Sequence, residues 1–136
     1  MTLPRIGFFL AALAPAVAAA EECGAKFGSG RMRAESGRYA VVFRTVPAQV
    51  AVGRAFALDA EVCAKGADAP PTGLRVDAHM PAHRHGMNYR PTIVAEGEGR
   101  FRADGLFFHM PGRWQFVFDV EAAGTRERIT QDVMLE

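Results

Sequence analysis

The stretch Arg54–Cys63, "RAFALDAEVC", puts Phe56, Leu58, Ala60 and Val62 on one face of an extended chain and Asp59 and Glu61 on the other. Successive side chains of an extended backbone leave on opposite sides, so this period of two marks a half-buried strand. The same alternation runs through "GLRVDAHM" (Gly73–Met80), "GRWQFVFDVEA" (Gly112–Ala122) and "TRERITQDVML" (Thr125–Leu135). "RYAVVFRTV" (Arg38–Val46) is β-branched and aromatic, "RPTIVAEG" (Arg90–Gly97) is short, and "GRFRADGLFF" (Gly99–Phe108) begins with alternation. No stretch beyond the N-terminal 20 residues carries a 3.6-residue apolar stripe. Seven short strands with Gly- and Pro-rich connections predict an all-β fold, an immunoglobulin-like antiparallel sandwich of about seven strands over residues 38–136. A small closed barrel is the alternative. "AKGADAPP" (Ala64–Pro71) reads as a turn-rich loop.

Upstream, "MTLPRIGFFLAALAPAVAAA" has one early cation, Arg5, an apolar run and then small residues. That is the layout of a secretory signal peptide cleaved near Ala20. The apolar run is short for a membrane span of about 20 residues, so an N-terminal anchor is the lesser reading. The expected location is periplasmic or otherwise exported. Residues 21–37, "EECGAKFGSGRMRAESG", read as a loosely held lead-in, tied down if Cys23 is bonded. Without Arg5 the chain has 15 basic residues (16 minus 1) against 15 acidic ones. That balance offers no electrostatic case for a nucleic acid partner. The two cysteines, Cys23 and Cys63, read as a disulfide in an oxidising compartment; the rival is that one thiol ligates a metal.

Strand counting groups the chemistry. If antiparallel neighbours alternate in direction, "HMPAHRHGMNY" and "HMPGR" connect strands at one end of the sandwich, and both cysteines lie at the other. All four histidines then share a pole. His83, His85 and Met87 are spaced i, i+2, i+4, which in an extended segment puts them on one side. Thioether sulfur selects Cu(I), and imidazole suits copper, zinc, iron and nickel. A mixed His/Met set therefore points to copper, with Cu(I) favoured. The candidate metal ligands are His83, His85 and Met87, completed by His109, Met80 or Met110. The bland readings differ by residue: Met80 continues an apolar strand face, Met110 plugs the sandwich end beneath Trp114, His109 bonds a backbone group and His79 is solvated. Arg84, Arg90 and Arg113 flank the loops, and cations raise the cost of a nearby metal.

Other chemistry is thin. Ser29 and Ser36 are the serines, both in the lead-in, and there is no Gly-x-Ser-x-Gly elbow, phosphate-cradling loop or paired-carboxylate cleft. The chain reads as a non-enzyme. The rival to copper binding is a metal-free module in a membrane-associated or transport assembly, whose Arg84, Tyr89, Arg90 and Arg113 contact a periplasmic or membrane protein partner.

"MPAHRHGM" (Met80–Met87) and "FHMPGRWQFVFDV" (Phe108–Val120) resemble the YtkA-like domain family, related to the periplasmic domain of FixH-type proteins. The similarity runs from about Gly73 to Val120. It implies an immunoglobulin-like sandwich outside the cytoplasmic membrane. The link of FixH-type relatives to copper supply for a respiratory oxidase favours copper. Met80, His83, His85, Met87 and Met110 match the two motifs; His79 and His109 do not belong to them, and Arg84 is a departure. The resulting expectation is an exported copper carrier or sequestering protein.

Overall fold

A computed structural model describes Met1 and residues 18–136. The leader reading rests mainly on residues 2–17, outside the described residues. Among the described residues no helix is long and apolar enough to cross a membrane. The strands are β1 (Met32–Glu35), β2 (Tyr39–Val46), β3 (Ala55–Ala64), β4 (Gly73–Met80), β5 (His85–Gly86), β6 (Thr92–Gly97), β7 (Arg100–Phe107), β8 (Gly112–Ala122) and β9 (Thr125–Leu135). They form two antiparallel sheets, ordered β1-β2-β3-β7-β6 and β5-β4-β8-β9.

All seven expected strands form, as β2, β3, β4, β6, β7, β8 and β9. Lettered A to G, they stand A-B-E-D in one sheet and C-F-G in the other, the constant-type immunoglobulin arrangement. The fold is therefore an open sandwich and not a closed barrel. Among the described residues the count rises to nine because each sheet gains a short edge strand, β1 beside β2 and the two-residue β5 beside β4.

Alternation builds the core. Phe56, Leu58, Ala60 and Val62 of β3 meet Leu74, Val76, Ala78 and Met80 of β4 and Trp114, Phe116, Phe118 and Val120 of β8 in one buried cluster. Phe43 packs against Phe116 and Phe118 at centroid distances of 5.4 and 4.8 Å. Burying each such large side chain stabilises the fold by about 1.5–3 kcal/mol.

β2 breaks the alternation: Tyr39 to Phe43 are all buried. Its outward residues, Ala40 and Val42, need a cover, and residues 22–31 supply it. Cys23 is disulfide-bonded to Cys63 of β3. The Gly24 N–H donates to Glu61 Oε2 at 3.0 Å. Gly24 has φ 73, and a Cβ there would sit 2.2 Å from Val42 Cγ1, so only glycine lets the strap lie this close. Phe27, in the 3-10 turn Ala25–Phe27, lies under the Arg44 guanidinium at 5.4 Å. The lead-in is thus bonded strap plus strand β1, which pairs with β2 from Met32↔Phe43 to Glu35↔Ala40. The loose reading of residues 21–37 is corrected, because it missed that a strand buried on both faces requires a partner.

The registers set the two poles. Ala55 lies opposite Phe107 and Glu61 opposite Arg100. Met80 pairs with His85, and His79 with Gln115. The Phe108–Gly112 and Met80–His85 connections therefore share one end of the sandwich, and the disulfide lies at the other.

Candidate metal centre

Two connections build the histidine pole. After β4 the chain makes a 3-10 turn, Pro81–His83, capped by Arg84 in the left-handed region at φ 53. It then reverses into β5, where His85 sits opposite Met80 and Gly86 opposite His79. Directly paired residues share a face, so His85 lies on the inward side with Met80, and His79 faces out. The second connection runs from β7 to β8 through Phe108–Pro111. Its anchor is Trp114, buried and stacked on Phe108 at 4.4 Å and 12°. The indole N–H donates to the Met110 carbonyl at 3.0 Å, which closes the turn. Gly112, at φ 121, lies under Met80; a Cβ there would be 2.9 Å from Met80 Cε.

Three imidazoles gather around this frame. The His83 and His85 centroids are 5.7 Å apart, and His85 and His109 are 5.0 Å apart. His85 and His109 both border the Trp114 ring, at 6.0 and 5.4 Å. His83 is exposed, and His85 and His109 are half-buried. His85 Nδ1 lies 3.3 Å from the Gly86 carbonyl. With Nδ1 donating there, Nε2 keeps the free lone pair. His109 Nδ1 is buried and, among the described residues, has no hydrogen-bond partner. Buried polar atoms nearly always have one, and an exception calls for a physical reason.

The sulfur candidates divide. Met80 is 1% exposed and part of the core, so it leaves the ligand set. Met87 and Met110 are half-buried at the sandwich end. The Met87 thioether receives the Phe107 backbone N–H at 3.4 Å, tying the two connections together. The extended i, i+2, i+4 reading of His83, His85 and Met87 is corrected: His83 stands in a 3-10 turn and Arg84 is left-handed, so His83 reaches the site from a different direction. Among the described residues, the one group of three His, Cys or carboxylate ligand atoms mutually within 4.8 Å is Cys23, Glu61 and Cys63. The imidazole trio is wider than that.

Surrounding charge is partly neutralised. Arg113 pairs with Asp132 at 3.0 Å, and Gln115 also donates to Asp132. His79 instead lines a cleft of about 430 Å³ on the outer side of β4, with Arg75, Asp77, Arg90, Asp119 and Arg128. In that cleft Arg128 donates to both carboxylate oxygens of Asp119, at 2.8 and 2.9 Å, and holds the Asp119 carboxyl below its ordinary range.

No family model matches the sequence, and no curated protein matches it. Among solved structures, the chain is similar to a DUF4426 family protein from Pseudomonas aeruginosa PAO1, with 11% identity and a TM-score of 0.49. The alignment covers 80% of this chain and 98% of that one. The YtkA-like resemblance accordingly rests on the two loop motifs.

Proposed function

We propose that this protein is an exported Cu(I)-binding protein, a carrier or sequestering domain of YtkA-like kinship, and not an enzyme. Its ligands are His83, His85 and His109, with Met87 or Met110 as the soft donor. The observation that carries the reading is the buried, unpartnered Nδ1 of His109 beside two further imidazoles. A buried ring nitrogen with no hydrogen bond is costly in the metal-free state, and a metal ion offsets that cost. Sulfur donors alongside imidazole favour Cu(I) over zinc. The half-buried His85 and His109 are held by Trp114, while the exposed His83 on its short turn is free to open. That combination suits ligand exchange, in which an incoming protein donor displaces His83 and takes the ion.

Anaerobic titration of the mature protein with Cu(I) against a competing chelator tests this. One equivalent is expected to bind, and His83→Ala with His85→Ala is expected to weaken it at least tenfold. Unchanged affinity in that double variant sinks the ligand assignment. The metal-free docking reading is favoured by Tyr89, which is 58% exposed and rests edge-on against Phe107 at 5.4 Å. It is separated by the thermal midpoint: a ligand bound only by the folded state must raise it, and no shift with Cu(I), Cu(II) or Zn(II) supports docking instead.

A further inference from the structure

At the pole opposite the histidines, the two sulfurs of the Cys23–Cys63 disulfide and a carboxylate oxygen of Glu61 lie within 4.8 Å of one another. Cys63 and Glu61 leave β3 on its outward face, two positions apart. The strap carries Cys23 across to them. Glu61 Oε2 is held by the Gly24 N–H at 3.0 Å, while Oε1 lies 3.9 Å from Cys63 Sγ. Among the described residues no Lys or Arg neutralises Glu61, so its charge is left facing the sulfurs. Oε2 helps to seat the strap through Gly24, whereas among the described residues Oε1 takes no N–H or O–H donor and faces the Cys63 sulfur.

We propose that Cys23, Cys63 and Glu61 form a second metal site, for a thiophilic divalent ion of the zinc class, once a dithiol reduces the disulfide. The reduction breaks the sulfur–sulfur bond. Two electrons and two protons come from the dithiol, which leaves as its own disulfide. The ion then displaces both thiol protons. Two thiolates and a carboxylate gather three negative charges, two of which a divalent cation offsets. In tetrahedral zinc sites Zn–S is about 2.3 Å and Zn–O about 2.0–2.2 Å, which sets ligand atoms on one ion roughly 3.5–3.8 Å apart. The 3.9 Å between Glu61 Oε1 and Cys63 Sγ is already close to that spacing. Three protein ligands leave the fourth position to water. After reduction the strap keeps its β1–β2 pairing and its Gly24–Val42 contact, which hold Cys23 near β3.

The site is independent of the histidine pole, and its test removes that pole. Mature protein with His83, His85 and His109 all changed to Ala is reduced with a water-soluble phosphine and titrated with Cd(II), a zinc surrogate. Binding is followed by thiolate-to-metal charge-transfer absorption. The reduced protein is expected to bind one equivalent and the oxidised protein none. Glu61→Gln is expected to keep the band and weaken binding at least tenfold. No band in the reduced protein overturns the proposal. So does an affinity unmoved by Glu61→Gln, the result expected of two thiols on a loosened strap.

Discussion

Replacing His109 with Leu isolates the cost of the unpartnered imidazole. In the metal-free protein Nδ1 is buried without a hydrogen bond, and leaving such a group unsatisfied costs about 1–3 kcal/mol. Leu removes the atom while keeping apolar bulk against Trp114. The change forfeits the edge-on His109–Trp114 contact at 5.4 Å, and such aromatic pairs contribute about 0.5–1.5 kcal/mol. The expected net is a gain of about 1 kcal/mol. For the 116 residues of 21–136 (136 minus 20), an unfolding entropy of about 2.1 cal/mol/K per residue sums to about 0.24 kcal/mol/K. The midpoint should therefore rise by about 4 °C, measured by circular dichroism in the presence of a copper chelator. With Cu(I) at about 100 times its dissociation constant, the wild type should gain about 2.7 kcal/mol, or about 11 °C on the same conversion, and overtake the variant. A His109→Leu midpoint more than about 2 °C below wild type without metal, or a copper-induced rise as large as the wild type's, refutes the argument.

Three further outcomes follow from the same geometry. Trp114 is the single tryptophan and lies within 6.0 Å of the His85 and His109 ring centroids, so Cu(II) should quench its fluorescence strongly; undiminished emission at saturation contradicts binding at this pole. Replacing both Cys23 and Cys63 with Ser opens a cross-link between residues 40 apart, and chain entropy puts the loss near 4 kcal/mol, read from urea midpoints; a loss under about 1 kcal/mol contradicts the strap's role. Asp119 is depressed first by the hydrogen bond from Arg128, so its contribution is present above the unfolded carboxylate value near pH 4 and lost as pH falls through the lower folded value. Asp119→Asn should therefore cost on the order of 1 kcal/mol at neutral pH and progressively less as the pH falls below the unfolded value; a pH-independent difference refutes the pairing.

Much of the architecture is legible because strand burial is periodic. Phe56 to Val62 and Trp114 to Val120 declare their inward faces by position alone, and the antiparallel register then carries the histidines to one end and the cysteines to the other. What is hidden depends on contacts distant in sequence. β1 has only four residues and exists through its pairing with β2. Its one local signal is the unbroken apolar run Tyr39–Phe43, too apolar for a strand with one wet face. At the site, the spacing of His83, His85 and Met87 misleads because a left-handed Arg84 intervenes. Met80 gave the better guide: its phase on β4 marks it as core, where it lies. The inward aim of His85 follows from its pairing with Met80 across β5, a two-residue strand that no pattern announces.

X-ray absorption of the Cu(I)-loaded, disulfide-intact protein addresses the ligand set directly. The expected spectrum shows imidazole nitrogen scatterers, with their outer-ring multiple scattering, together with a thioether sulfur, and it loses its imidazole scattering when His83, His85 and His109 are all changed to Ala. A sulfur-only shell, or copper bound without imidazole, contradicts it.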